Sequence, residues 1–289
     1  MKNQILSIAL ISVLGLSAIQ LISPNFASAT ATGAVFCPNY YYGGIDTANE
    51  ISLSRTICTY IKNTLDARLS GGCSGWFDAG CSIGTYRTVL ANLRYTDQAI
   101  VFTKGHRGMP YFSSNPPNTN HYSLLDYNGY DLKDHNDIYD RTGSHNAVSF
   151  IWHCETSLHY AGDGTIPQDA YGCYGMPYCW THNANMPMYT GTTGSQVYLG
   201  WNNSVPGVPY PQQAGGSPQF EYEIDAEDDY SNVAAAFWYY MSLYDNNNIP
   251  YSVADSLDLM CNGIYLTDFS NTDLDGWLIV YGNSNLGLP

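Results

Sequence analysis

Two residues, His106 and Cys154, have the types and positions that indicate covalent chemistry. The apolar run Ala99 to Thr103 comes shortly before His106, and the apolar run Ala147 to Trp152 comes shortly before Cys154. A thiolate can attack a carbonyl carbon, and an imidazole can then protonate the leaving group. If the two runs are neighbouring parallel strands, both side chains emerge at one edge of a sheet. The spacing therefore predicts a Cys/His pair for nucleophilic catalysis.

Strand-like and helix-like segments alternate along the chain, which predicts an α/β fold with a largely parallel sheet. In such sheets the residues that do chemistry collect at the carboxyl ends of the strands. Thr47 and Glu50 have the spacing of a capping box at a helix start. Besides the two runs above, the patterns predict strands at 34–37, 196–201 and 277–281, helices at 47–69, 85–94, 231–244 and 252–261, and a Gly- and Cys-rich loop at 70–81.

Other histidines are weaker partners for Cys154. His145 and His159 are possible substitutes for His106. His153 would point to the opposite face from Cys154 if the strand continues, because side chains alternate along a strand. Gly105 and Gly108 flank His106 and would let the backbone approach a substrate closely. The sequence thus favours His106 and leaves two alternatives open.

The two segments resemble the caspase-like clan of cysteine peptidases, which includes gingipains, clostripain and legumain. In that clan an apolar strand is followed by His-Gly, and another by Cys. Residues 197–201 are similar to the strand beside the clan's substrate groove, and residues 251–257 and 278–284 are similar to the end of the gingipain-like domain. The resemblance implies a caspase-like three-layer sandwich, with a mostly parallel sheet flanked by helices, in a single domain over 30–289.

The resemblance also implies roles for individual residues. Cys154 would be the nucleophile, His106 the acid/base, and the backbone N–H groups of Gly108 and Cys154 the oxyanion hole. The chain departs from the clan at Arg107, where Gly usually follows the His, and at His153, where a small residue commonly precedes the Cys.

Three further residues are predicted to contact the substrate. Trp201 and Asn202 follow the strand that resembles the side of the groove, and Glu155 follows Cys154. The alternative for Trp201 is that it closes the hydrophobic core. No Asp can be assigned to the base of a specificity pocket.

Residues 1–29 have the features of a secretory signal peptide. Lys2 supplies the positive charge, residues 5–22 are mostly apolar, and Ala27-Ser28-Ala29 resembles a cleavage site. Later segments lack the ~18 apolar residues that a membrane-spanning helix needs. We therefore predict a secreted or cell-surface protein that starts near Thr30, has no membrane span after cleavage, and is able to form disulfides.

The chain contains 8 cysteines, and their spacing suggests both disulfides and thiols. Two pairs within loops are disulfide candidates: Cys73 with Cys81, and Cys173 with Cys179. Cys37 and Cys58 either pair or remain buried thiols, and Cys261 lies in an apolar helical segment that suits a buried thiol. If Cys154 is free, one more of these three must be free, since the total is even.

The charge is strongly acidic, with 25 Asp and Glu against 10 Lys and Arg and a net charge of −15. Such a chain would repel phosphates, so nucleic-acid binding is excluded. A negative field favours cationic substrates, which suggests peptides with Arg or Lys before the cleaved bond.

Two acidic clusters could bind Ca²⁺ through carboxylate oxygens, although solvated loops are the simpler interpretation. They are Glu221, Glu223, Asp225, Glu227, Asp228 and Asp229, and the looser group Asp126, Asp131, Asp134, Asp137 and Asp140. The cysteines lack zinc-site spacing. We predict that no cofactor is required, with Ca²⁺ as an optional ligand.

Three functions compete at this stage. The primary hypothesis is a secreted cysteine endopeptidase that acts on a protein or peptide substrate. The altered sequence around His106 favours an alternative, a catalytically inactive caspase-like protein that binds partners outside the cell. A glycosidase with paired carboxylates is a third, although no carboxylate pair stands out.

Overall fold

A computed structural model describes most of the chain after residue 29. The described residues are 30–39, 48–108, 111–114, 117–121, 123–153, 156–157, 175–183, 186, 191, 194–201, 230–272 and 274–289. The predicted signal peptide, Cys154, Glu155, Cys173 and Asn202 lie outside these ranges. Within them, no helix is both long and apolar enough to cross a membrane.

A six-stranded sheet forms the centre of the described fold. Its strand order is β10-β9-β8-β3-β1-β2, and all neighbours are parallel except β9 and β10. The strands are β1 (Ala31–Cys37), β2 (Cys73–Phe77), β3 (Gln98–Lys104), β8 (Asn146–Trp152), β9 (Val197–Trp201) and β10 (Leu278–Gly282). The predicted mostly parallel sheet is therefore confirmed, with one antiparallel strand at its edge.

Helices cover both faces of the sheet. The helices are α1 (Ala48–Arg68), α2 (Ile83–Leu93), α3 (Met176–Thr181), α4 (Tyr230–Met241) and α5 (Val253–Tyr265). Apolar residues of α1, α4 and α5 share one core cluster with one face of the sheet, and those of α2 and α3 share a second cluster with the other face. The result is a three-layer α/β arrangement, compatible with the predicted sandwich.

The continuous apolar run of β3 fits this double covering. Ile100 and Phe102 belong to the core on one face, and Ala99 and Val101 belong to the core on the other. Alternation along a strand sends successive side chains to opposite faces, so a strand buried on both sides needs apolar residues throughout. The same reasoning explains β1 and β8.

The predicted loop at 70–81 is wrong over its middle, because Cys73–Phe77 forms the edge strand β2. β2 pairs with β1 from Gly33 opposite Cys73 to Cys37 opposite Phe77. The pairing needs a glycine on β1, since a Cβ on Gly33 would lie 2.7 Å from the Cys73 sulfur. Short, polar edge strands carry a weak sequence signal.

The polar stretch after Gly108 also contains regular structure that the sequence did not reveal. Two antiparallel hairpins are formed by β4 (Tyr111–Ser114) with β5 (Pro117–His121) and by β6 (Ser123–Leu125) with β7 (Asp131–Lys133). A π-helix, Asp134–Tyr139, follows them. The β6–β7 hairpin matters for the site, because it contacts the segment that carries His106.

Candidate functional site

The carboxyl ends of β3 and β8 meet at one edge of the sheet, as the sequence predicted. The two strands are parallel neighbours, and their register ends with Lys104 opposite Trp152. His106 is the second residue after β3, and Cys154 is the second residue after β8. The two candidate catalytic residues therefore occupy equivalent chain positions after directly paired strand ends.

The backbone at His106 is held from two sides. Its carbonyl oxygen accepts hydrogen bonds from His153 Nδ1 at 2.9 Å and from the backbone N–H of Leu125 at 2.9 Å. His106 is itself buried, with 8% of its surface exposed. The predicted acid/base thus lies on a segment fixed between β8 and the β6–β7 hairpin.

Gly105 is required by packing between the two strands. A Cβ on this residue would lie 2.7 Å from His153 Cε1 and 2.9 Å from Pro38 Cγ. The sequence interpretation was that Gly105 permits a close approach to substrate. In the structure it permits a close approach of the His153 ring.

Gly108 does not present a free amide. Its N–H donates to the carbonyl oxygen of Ser123 in β6 at 2.8 Å, and a Cβ at this position would collide with Ser123 Oγ and Asp131 Oδ1. The predicted oxyanion role of Gly108 is therefore corrected for this conformation, because its donor is already used. Arg107, the departure from the clan, forms a β-bridge with Leu124, which joins this segment to the same hairpin.

His153 is the residue that sequence reasoning undervalued. It is fully buried, and its ring nitrogens contact His106 O and Thr103 Oγ1, both at 2.9 Å. Thr103 Oγ1 also lies 3.0 Å from the hydroxyl of Tyr86. Burial is the main cause that lowers the pKa of His153, the hydrogen bond to the His106 carbonyl opposes it, the charges of His106 and Lys104 add to it, and the net pKa is about 3.

This shift predicts an acid-sensitive contribution to stability. The pKa of His153 is about 3 in the folded protein against an ordinary 6.5, so between these values the unfolded chain binds a proton that the folded protein does not. The contribution is therefore complete above pH 6.5 and is lost as the pH falls toward 3, with a slope of at most about 1.4 kcal/mol per pH unit. Urea unfolding between pH 4 and 7 measures it.

The comparison that isolates this contribution is His153→Asn, which retains a polar side chain but cannot titrate. Carboxylates that titrate in the same window are present in both proteins, so only the difference between the two curves reports His153. We expect the stability curve of the wild-type protein to fall more steeply with acid than that of the variant. Parallel curves would show that His153 takes up its proton equally in the folded and unfolded protein, with an ordinary pKa.

A buried ion pair anchors the end of β3. The Lys104 ammonium contacts the Glu50 carboxylate, and the two side chains are 3% and 1% exposed. Ser54 Oγ donates to the same carboxylate oxygen at 3.3 Å. Glu50 was interpreted as a capping-box carboxylate, and its pairing with a strand residue 54 positions away carries no sequence signal. The sequence does give a signal for Lys104, because a charged residue at the end of an apolar strand needs a partner.

The predicted substrate-binding role of Trp201 is not supported by its position. Trp201 is fully buried, and its ring packs at 4.6 Å against Trp152 in a T-shaped arrangement. It belongs to the core cluster beneath α4 and α5. This position agrees with the alternative, that Trp201 closes the core. The other two substrate-binding candidates, Glu155 and Asn202, lie outside the described residues.

The structure gives no support to the other two histidines, His145 and His159, as the acid/base in place of His106. His145 immediately precedes β8, and its Nδ1 lies 3.3 Å from the carbonyl oxygen of Asp97, just before β3. This is the amino end of the parallel strands, opposite to the edge that carries His106. His145 is therefore excluded as the partner of Cys154, and His159 lies outside the described residues.

The predicted Cys73–Cys81 disulfide is wrong in this structure, where both are buried thiols. Cys73 begins β2, and Cys81 follows both that strand and a short 3₁₀-helix. Five extended residues span about 16 Å, whereas a disulfide needs Cα atoms within about 7 Å. The two thiols also belong to different core clusters, on opposite faces of the sheet.

Cys37 and Cys58 are buried thiols, which is the second of the two predicted alternatives. The Cys37 thiol donates to Asn39 Oδ1 at 3.3 Å. Burial raises the pKa of Cys58 well above its ordinary value and raises the pKa values of Cys73 and Cys261 to about 12. Cys179 is also a buried thiol, in α3, so its predicted disulfide with Cys173 is wrong in this structure.

The acidic group at 126–140 is used inside the fold. Asp126 accepts the backbone N–H groups of Ile83, Asn128 and Tyr130, and Asp137 accepts from Arg87 and from the Lys133 N–H. Across the residues that the structure describes, no group of three or more His, Cys, Asp or Glu side chains could hold a metal ion. The second acidic cluster, at 221–229, lies outside them, so Ca²⁺ binding there stays a prediction.

The chain matches no protein-family model and no curated protein. The described edge provides a buried histidine on a fixed segment, a neutral imidazole beside it, and a paired strand end followed by a cysteine.

Proposed function

We propose that this protein is a cysteine endopeptidase with a caspase-like fold, in which Cys154 is the nucleophile and His106 the acid/base. The observation that supports it is the direct pairing of Lys104 with Trp152, which aligns the ends of β3 and β8. Both candidate residues are the second residue after these ends. Residues equivalent in a parallel register are the ones that neighbouring strands bring closest.

The proposed reaction is peptide-bond hydrolysis in two steps. The Cys154 thiolate attacks the carbonyl carbon, the C–N bond breaks, and the His106 imidazolium gives its proton to the departing amine. Water then adds to the thioester while His106 accepts one of its protons, and the C–S bond breaks to release the carboxylic acid and regenerate the Cys154 thiolate and the His106 imidazolium. The Cys154 N–H remains the candidate oxyanion donor, and Gly108 could join it only if its bond to Ser123 opened.

The substrate is proposed to be a cationic peptide segment. A net charge of −15 creates a field that attracts Arg and Lys side chains. The signal-like residues 1–29 support action outside the cytoplasm. No cofactor takes part in the proposed steps.

The second candidate is an inactive protein of the same fold that binds partners. It is favoured by the engagement of Gly108 and by the bridge between Arg107 and Leu124, which together close the site around His106. An inactive protein would lack a reactive thiolate, so the two candidates differ in thiol chemistry as well as in cleavage.

The first arm of the test measures thiol reactivity without assuming a substrate. We expect limiting iodoacetamide at pH 7 to label Cys154 in the native mature protein well before the six buried thiols of the described residues: Cys37, Cys58, Cys73, Cys81, Cys179 and Cys261. Peptide mapping identifies the labelled residue, and the unfolded protein shows that all sites can be labelled. Equal rates at Cys154 in native wild-type protein and His106→Ala would oppose a working pair.

The second arm measures cleavage. Fluorogenic peptides with Arg, Lys, Asp or Asn before the reporter are incubated with wild-type protein and Cys154→Ala, with reductant and with or without Ca²⁺. We expect cleavage after Arg or Lys by the wild-type protein alone. Absence of cleavage together with an unreactive Cys154 would favour the inactive binding protein.

A further inference from the structure

We propose that His153 is a positioning residue for His106, acting through a hydrogen bond from its Nδ1–H to the His106 carbonyl oxygen. The inference rests on the proposed function, because the position of His106 affects catalysis only if His106 is the acid/base. It also explains why a bulky imidazole precedes Cys154 where the clan has a small residue. The space that a small side chain would leave is filled by a ring that bonds the neighbouring strand.

The protonation state of His153 follows from its partners. The His106 carbonyl can only accept, so His153 Nδ1, at 2.9 Å, must carry a proton. In a neutral ring Nε2 is then an acceptor, and the Thr103 hydroxyl, also at 2.9 Å, must donate to it. Thr103 Oγ1 has then used its proton and accepts from Tyr86, at 3.0 Å. The chain of bonds therefore has one direction, from Tyr86 to His106.

This chain lies entirely inside the protein. Tyr86, Thr103 and His153 are fully buried, so water does not compete for their hydrogen bonds. The charge of Lys104 and that of a protonated His106 both oppose a second proton on His153. The low pKa of His153 follows, and the ring stays neutral throughout the pH range in which His106 would work.

His153 extends the contact between the strands beyond the sheet. The backbone bond from Gly105 N–H to Trp152 O, at 3.1 Å, follows the last paired residues. One residue further along, the His153 side chain is hydrogen-bonded to the His106 carbonyl oxygen, and Gly105 leaves room for the His153 ring. A second donor, the Leu125 N–H, reaches the same carbonyl from the hairpin. The His106 carbonyl is thus held by His153, which comes from the strand that leads to Cys154, and by Leu125, which comes from the hairpin.

Three substitutions at His153 separate positioning from packing. His153→Asn places an amide N–H near the Nδ1 position, His153→Gln places its amide near Nε2, and His153→Leu removes all polarity. We expect His153→Leu and His153→Gln to lower kcat by about 10–100-fold with little change in KM, by analogy with the loss found when the hydrogen-bond partners of metal-ligating residues are removed. His153→Asn should retain at least about a third of wild-type kcat, because the bond to His106 can re-form.

An activity-independent measurement keeps this inference distinct from the proposed function. In a Cys154→Ala background, ¹⁵N-edited NMR should show His153 protonated at Nδ1 alone down to pH 5. The ring signals of His106 should move in the Leu and Gln variants and return toward wild type in the Asn variant. This arm applies even if the protein cleaves no peptide.

Several results would overturn the proposal. One is a His153 proton on Nε2, and another is ordinary titration of His153 near pH 6.5. Identical His106 signals in all three variants would also exclude positioning, whether or not the protein is a peptidase. If cleavage occurs and Asn and Gln lower kcat equally, the bond to His106 O is not the cause. If His153→Leu fails to fold, the comparison of His153→Asn with His153→Gln is sufficient to test the positioning role.

Discussion

Replacing His106 with Ala should lower kcat/KM for peptide cleavage by about 10²–10⁴-fold, the usual contribution of a general acid–base. The amine leaving group is a poor one unless it is protonated as the C–N bond breaks. In the proposed reaction His106 is the donor, and its backbone is held by His153 and Leu125. The loss should be in kcat, because His106 acts on the reacting bond rather than on substrate binding.

The matched control is His145→Ala, which removes an exposed imidazole from the opposite end of the parallel strands. We expect this variant to cleave at the wild-type rate. Fluorogenic assays across pH 5–9 compare the two, and circular dichroism checks that both fold. A His106→Ala protein with wild-type kcat, or a His145→Ala protein with the larger loss, would assign the acid/base to another residue.

Breaking the Lys104–Glu50 ion pair should cost about 3–5 kcal/mol of unfolding free energy. Both side chains are almost completely buried, so removing either charge leaves the other without its counter-charge in a low-dielectric interior. Lys104→Met and Glu50→Gln should each show this loss in urea unfolding. The double variant Lys104→Met/Glu50→Leu should recover most of it, because no buried charge remains.

The chain offers a control of the same type on its surface. Lys62 and Asp66 form an i,i+4 pair at 2.9 Å on α1, with side chains 26% and 46% exposed. Lys62→Met should cost less than about 1 kcal/mol, since water solvates the remaining charge. Similar losses for Lys104→Met and Lys62→Met would mean that burial of the pair does not control its energetics.

Strands and helices with long apolar patterns could be predicted from the sequence. β3 and β8 are mostly apolar runs, and the structure begins and ends them within about a residue of the prediction. The edge strand β2 was missed because its five residues, Cys73–Phe77, include Gly and Ser and resemble a loop. Local patterns are informative where burial is uniform and weak where a strand is half covered.

The roles of single residues at the site were harder to predict. Trp201 follows a strand where a groove residue was expected, but its fully buried ring packs against Trp152. Gly108 was expected to offer an amide to substrate, but the β6–β7 hairpin takes that amide. Both differences come from neighbouring segments that cover a strand end, and chain order says nothing about such coverage.

The sequence by itself determined which segments become buried strands and that His106 and Cys154 follow two of them, because apolar periodicity is a local property. Only the tertiary structure decided which groups touch at that edge. The bond between His153 and His106 joins residues 47 apart, and the pair Lys104–Glu50 joins residues 54 apart. Such contacts depend on strand order, register and helix placement, which arise from packing the whole core and leave no trace in the spacing of nearby residues.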